Sequence, residues 1–267
     1  MKSIIFENKH ILISGGSSGI GLALAKQFCQ LGSHVTILAR NRPKLESARK
    51  ELEFFQIKDS QCIEIISADV SDFQLLAKSL QSIEIPVDIL VNSAGIAYPG
   101  EFYNLDQEIY QRVMDINYLG TVNLTKLLVP AMIDQRNGYV VNISSLAAVI
   151  GIYGYTAYAP SKYAVRGFSR CLRAELVPKG INVSIVLPPD TDTPQLEFER
   201  SLLPEITKKI NQNGGVLSAE KVAREIIRGM KKGIFTIIPG IEGKILYALA
   251  PVFGRYFYRF ALRQQKK

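Results

Sequence analysis

The sequence predicts one α/β domain built on a doubly wound, parallel, seven-stranded sheet. Three observations lead there. Short apolar runs alternate with segments of helical period from residue 10 to about 238. The runs at 87–92 and 181–187 are nearly continuous, as strands covered on both faces require. A glycine-rich turn stands between the first strand and the first helix. The predicted strands are His10–Ser14, His34–Ala39, Cys62–Ser67, Val87–Asn92, Tyr139–Ile143, Ile181–Leu187 and Phe235–Pro239. Two stretches leave the alternation, Pro194 to Gly215 and the tail beyond Gly243. The expected organisation is a core of residues 1–243 and a basic, aromatic tail of 244–267.

Composition narrows the possibilities. At 267 residues, 47% hydrophobic and 21% charged, the chain is long enough for a substantial core and lacks a low-complexity tract. Three scattered cysteines without a CxxC pair argue against a disulfide framework or zinc site and suit a reducing compartment. Two histidines, His10 and His34, are too few for a histidine-based metal centre, so no metal is expected. No signal-peptide core follows Met1 and no apolar run is long enough to span a bilayer, so the protein is expected in the cytoplasm or on the cytoplasmic face of a membrane. Of the net charge of +8, six cations fall from Lys244 onward with no acid among them, leaving +2 for residues 1–243. That distribution speaks against nucleic acid, which would require a basic face on the body.

The first element carries the first chemistry. Gly15, Ser17, Ser18, Gly19, Ile20 and Gly21 follow strand one and open a helix. Glycines there let backbone N–H groups approach a pyrophosphate at the positive end of a helix dipole, as in a Rossmann-like dinucleotide fold. After strand two the chain reads Arg40-Asn41-Arg42-Pro43-Lys44, with no acid before Glu46. Cations in place of a ribose-binding carboxylate suit a 2′-phosphate, with Arg40 and Lys44 as its ligands, and favour NADPH over NADH. Asp69-Val70 ends strand three; Asp69 either accepts from an adenine amino group or caps the next helix, a role open to Ser71 as well. Asn92 and Gly95, in Asn-Ser-Ala-Gly, end strand four on the same side of the sheet.

Later elements supply a proton-transfer group. Tyr158 and Lys162 are four residues apart, on one helix face, with Pro160 in the first turn. A fixed cation is expected to lower the phenol pKa toward working pH. Ser144 and Ser145, after strand five, each offer a hydroxyl to polarise a carbonyl. A Ser-Lys hydrolase would lack a nucleophile elbow and leave the dinucleotide cradle unused.

Together these residues, with Asn117 in Ile-Asn-Tyr-Leu-Gly and Pro188-Pro189, resemble the short-chain dehydrogenase/reductase family from about residue 8 to 240. The resemblance implies a catalytic set of Asn117, Ser145, Tyr158 and Lys162, selecting Ser145 over Ser144. Asn117 would position a water and Lys162 would also hold the nicotinamide ribose. Pro188, Thr191 and Thr193 would line the nicotinamide, although Pro189 stands where the family has glycine. A homodimer or homotetramer through helices near 105–133 and 156–177 is implied too. Within the family the chain is most similar to the 3-ketodihydrosphingosine reductases, through Pro-Pro-Asp-Thr-Asp-Thr-Pro at 188–194 above all. That likeness implies NADPH-dependent reduction of a long-chain keto lipid at a membrane surface. The alternatives are another lipid or acyl ketone, such as a 3-oxoacyl thioester or steroid-like compound, and a regulator that binds NADPH without turnover.

The two excursions bear on substrate. Leu196, Phe198, Leu202, Leu203, Ile206 and Ile210 form an apolar stripe, either a lid over an acyl chain or a helix packed on the body. In the tail, Arg255, Arg259 and Arg263 lie roughly opposite Phe253, Phe257 and Phe260, an amphipathic pattern for peripheral membrane contact or for a subunit interface.

Overall fold

The computed structural model describes residues 5–211 and 215–250. Seven strands form the central sheet: β1 His10–Ser14, β2 His34–Ala39, β3 Ile63–Ser67, β4 Ile89–Asn92, β5 Gly138–Ile143, β6 Ile181–Val186 and β9 Thr236–Ile237. Their order is β3-β2-β1-β4-β5-β6-β9 and every pairing is parallel. A small second sheet pairs β7 Thr191–Asp192 with β8 Leu217–Ser218. The helices are α1 Gly19–Gln30, α2 Arg42–Glu53, α3 Phe73–Leu80, α4 Gln107–Met114, α5 Gly120–Asp134, α6 Tyr158–Leu176, α7 Pro194–Leu202, α8 Glu205–Asn211 and α9 Ala219–Lys231.

Strand periodicity explains why the apolar runs are unbroken. Ile11 and Ile13 pack into one core with Ile89, Val91 and Val141, whereas Leu12 packs with Leu90 and Val140 in a second core on the opposite face. Alternate side chains thus serve two buried faces, and each fully buried Leu or Ile contributes about 1.5–3 kcal/mol. α1, α2 and α9 close the first face; α3, α5 and α6 close the second.

The chain reverses direction across the sheet between β1 and β4, so the carboxyl ends of those strands open a crevice. His10 sits at the opposite end of β1, its ring held by Ile85 O and Thr36 Oγ1, each at 2.7 Å. It is a buried structural group remote from the crevice.

Two expectations change. Pro204 splits the stretch 194–215 into α7 and α8, so the stripe is not one surface: Leu196 and Leu203 are buried while Phe198 is half exposed. Residues 241–250 are helical and run across the boundary expected at 243/244. Leu246 lines the crevice, and Tyr247 stacks on the Arg166 guanidinium at 5.3 Å. The arginines and phenylalanines of the tail, from Phe253 onward, lie outside the described residues. No helix among the described residues is long and apolar enough to cross a membrane.

Candidate active site

The crevice is a cleft of about 640 Å³. Its floor is the turn from β1 into α1. Gly15 has φ +68°, and a Cβ there would stand 2.9 Å from the Ala94 backbone. A Cβ on Gly21 would stand 2.3 Å from the Gly15 carbonyl, so no larger residue fits this turn. Ser14 Oγ accepts from Ser93 N and Ala94 N, each at 3.1 Å, tying the loop after β4 to the glycine turn. Ser18 caps α1 in extended conformation without a side-chain hydrogen bond, and the first turn holds no acid. Free amides at a helix start facing a cleft are the donors a pyrophosphate needs. On that ground the residues fit a dinucleotide.

The walls assign most of the expected contacts. Gly15, Ser17, Ser18, Gly19, Ile20, Gly21, Arg40, Lys44, Asp69, Val70, Gly95, Pro188, Thr191 and Thr193 line the cleft with Ser145, Tyr158 and Lys162. Asn92 does not line it. Its amide donates to Asn142 Oδ1 at 2.8 Å and Thr125 Oγ1 at 3.2 Å, so it staples β4 to β5 and α5. Its neighbours Ser93, Ala94 and Gly95 line the cleft instead.

Beyond β2, Asn41 caps α2 through Lys44 N, and Arg42 is drawn off by Glu46 at 3.1 Å. Arg40 and Lys44 are left facing the cleft. Arg40 approaches Asp69 at 3.6 Å. Asp69 accepts from Ser71 N and Ser71 Oγ, and the cap of α3 is Asp72, neither of the two residues expected. Burial pushes the Asp69 carboxyl up, but the Ser71 hydrogen bonds and Arg40 outweigh it and hold the pKa below the ordinary value. Thr191 and Thr193 give their hydroxyl protons to Pro189 O and Thr191 O, and Thr193 also caps α7. They shape the wall and are not free donors.

Ser144 and Ser145 part company here. Ser144 Oγ donates to Lys162 O at 2.8 Å, fastening β5 to α6. Ser145 hydrogen-bonds the Tyr158 phenol and accepts from Ala147 N at 3.1 Å. Lys162 is buried, with Nζ donating to Ile143 O at 3.2 Å and lying 5.6 Å from the Tyr158 ring centroid. A π-helical turn, Asp115–Leu119, inserts between α4 and α5 and turns Asn117 toward α6. Asn117 accepts from Ile96 N at 2.8 Å and donates to Ile96 O and Ser161 Oγ, each at 2.9 Å. Its side chain does not line the cleft; it braces the loop at Gly95, where an added Cβ would meet Asn117 Oδ1 at 3.1 Å and Lys162 Nζ at 3.3 Å.

The phenol pKa moves opposite to the sequence expectation. Burial raises it, Glu199 and Asp190 raise it further, and Ser145 only partly opposes them. Burial also lowers the Lys162 ammonium to about 8, against which Glu199 pulls upward. Sequence spacing placed the cation correctly but could not weigh desolvation or two carboxylates, Asp190 just before β7 and Glu199 in α7. The phenol therefore stays protonated at neutral pH, the form that gives a proton to a carbonyl.

Those carboxylates escaped the sequence reading. Glu199 is buried, accepting from Tyr155 OH and Gln195 Nε2, each at 2.9 Å. It had one signal: Leu196, Glu199 and Leu203 are spaced three and four apart, so the acid lies on the apolar stripe.

A dinucleotide seat beside a protonated, hydrogen-bonded phenol is equipment for moving a hydride and a proton together, which makes this an oxidoreductase. The short chain dehydrogenase family model matches residues 9–202, and the chain belongs to that family. It is 38% identical over 252 residues to 3-dehydrosphinganine reductase of Danio rerio, covering 93% of this chain and 76% of the relative. Over 246 residues it is 35% identical to 3-dehydrosphinganine reductase TSC10A of Arabidopsis thaliana, covering 91% and 74%. Among solved structures, 3-oxoacyl-[acyl-carrier protein] reductase of Brucella melitensis superposes with a TM-score of 0.77 at 26% identity, covering 88% and 90%. A short-chain dehydrogenase of Sphingobium yanoikuyae in complex with NADPH gives 0.77 at 25%, covering 96% and 94%. Among the described residues no cluster could hold a metal.

Proposed function

We propose that this enzyme uses NADPH to reduce the 3-keto group of 3-ketodihydrosphingosine, giving dihydrosphingosine. The observation that carries the reading is Tyr158 opening into the same cleft as the glycine turn, with Ser145 hydrogen-bonded to it. The bound nicotinamide would supply the hydride. Ser145 orients the substrate carbonyl, Tyr158 delivers the proton to its oxygen, and Lys162 holds the ribose. The substrate comes from the reductases at 35–38% identity, whose names specify it.

Arg40 and Lys44 on the cleft wall, with no acid between Ala39 and Glu46, support NADPH, although Asp69 shares Arg40 at 3.6 Å. Arg40→Asp should lower the preference for NADPH over NADH by about 10–100-fold, the worth of one charge-assisted hydrogen bond. An unchanged ratio of kcat/KM values would move the phosphate contact elsewhere.

A lipid-surface location is supported by residues 241–250. Ile241, Ile245 and Leu249 stand exposed four residues apart while Leu246 faces the cleft. A membrane-held ketone could reach Tyr158 past that face. The direct test is NADPH oxidation by purified protein with 3-ketodihydrosphingosine beside a short 3-oxoacyl thioester. Faster turnover of the thioester would refute the sphingolipid reading.

A further inference from the structure

A 3-ketodihydrosphingosine molecule carries an amine on the carbon next to its carbonyl, protonated for the most part near neutral pH. Any group that pairs with that ammonium must stand within a few ångströms of the catalytic phenol. We infer that Glu199 is that group, making it a specificity-determining residue that selects 2-amino ketones through their cation. The inference rests on the substrate reading above and adds the subsite that would recognise it.

Four observations carry it. Glu199 lines the same cleft as Ser145 and Tyr158 and is only 8% exposed. It is joined to the reaction centre through Tyr155, which donates to Glu199 Oε2 at 2.9 Å and whose ring lies 5.8 Å from the Tyr158 ring. Tyr155 OH and Gln195 Nε2 occupy one site on each carboxylate oxygen. A carboxylate offers about four acceptor sites, so room for a further donor remains. Among the described residues no Lys or Arg forms an ion pair with Glu199, nor with Asp190 on the same cleft wall.

An enclosed carboxylate without a counterion is costly, and its field is repaid when a cation enters. Burial raises the Glu199 pKa, the Gln195 and Tyr155 hydrogen bonds oppose that rise, and Asp190 adds to it, all consistent with a missing positive partner. The Lys162 charge opposes the rise more weakly than these, and its ammonium donates to Ile143 O and forms no ion pair with Glu199. The same wall would repel the phosphates of an acyl-thioester carrier, so it selects against that alternative as well as for an amine.

The test compares wild type, Glu199→Gln and Glu199→Asp on 3-ketodihydrosphingosine and on the same-length 3-ketone lacking the amine, at saturating NADPH. Glu199→Gln should raise KM for the amino ketone about tenfold or more, with a smaller change in kcat. The preference for amino ketone over amine-free ketone should fall by the same factor, and Glu199→Asp should restore part of it. An unmoved KM, or equal losses on both ketones, overturns the inference and leaves the substrate reading standing. A wild type that reduces the amine-free ketone but not the amino ketone overturns both. Should Glu199→Gln fail to fold, wild-type protein still decides: dodecylamine should inhibit at least about tenfold more strongly than dodecanol, and equal inhibition overturns the inference.

Discussion

Tyr158→Phe is expected to lower kcat for ketone reduction by about 10²–10⁴-fold, the usual contribution of a positioned general acid. The phenol is the proposed proton donor, and burial together with Glu199 and Asp190 keeps it protonated. Phenylalanine keeps the ring and its contact with Tyr155 while removing only the acid. NADPH binding, followed by fluorescence, should persist, which separates lost chemistry from lost fold. Adding Ser145→Ala to Tyr158→Phe should cost much less than the product of the two single losses, because both groups act on one oxygen. Retention of more than about a tenth of wild-type kcat would assign the proton to another group.

Lys162→Met should produce the second large effect and change the pH profile. The ammonium has its pKa lowered by burial to about 8, so it is charged below that pH and neutral above it. If it holds the cofactor ribose, kcat/KM for NADPH, which reports the cofactor-free enzyme, falls as pH rises through about 8. In Lys162→Met that alkaline limb should vanish, with kcat/KM for NADPH at least about tenfold lower at pH 7. A limb that persisted in the variant would belong to another group.

Stability should move the other way. The folded-state pKa of Lys162 lies below the ordinary 10.5, so the unfolded chain binds more protons between about pH 8 and 10.5. Burial of the charge therefore costs stability below pH 8, on the order of 3 kcal/mol, and that cost is relieved as pH rises through the window. Lys162→Met, which removes the charge at similar volume, should melt no lower than wild type at pH 7. A lower melting temperature together with a lost limb would mean that the Ile143 hydrogen bond outweighs desolvation. The opposed effects on activity and stability distinguish a functional lysine from a structural one.

Legibility along the chain tracked the distance between interacting residues. The first six strands of the central sheet could be read because each is a run of four to six residues with its own pattern, and β1, β2 and β6 begin where that pattern begins. The glycine turn and the Tyr158–Lys162 pair are equally local, one a steric demand and the other a helical spacing. The cations after β2 were legible in the sequence, and the structure adds that Arg40 and Lys44 line the cleft while Glu46 holds Arg42. Asn92 misled because a polar residue at a strand end reads the same whether it faces a ligand or, as here, Asn142 and Thr125.

By itself the sequence determined the parallel α/β class, the place of the glycine turn after the first strand and the helical spacing that sets Lys162 beside Tyr158. Tertiary structure alone decided which serine faces the phenol, how the π turn seats Asn117, that the segment after β7 divides into α7 and α8 about Pro204, and that Glu199 enters the cleft. It also set the direction of the Tyr158 pKa. The reason is physical: hydrophobic periodicity and backbone sterics act over a few neighbouring residues, whereas desolvation and electric field at one atom are sums over groups from α6, α7 and the loops after β5 and β6 that meet only in the folded chain.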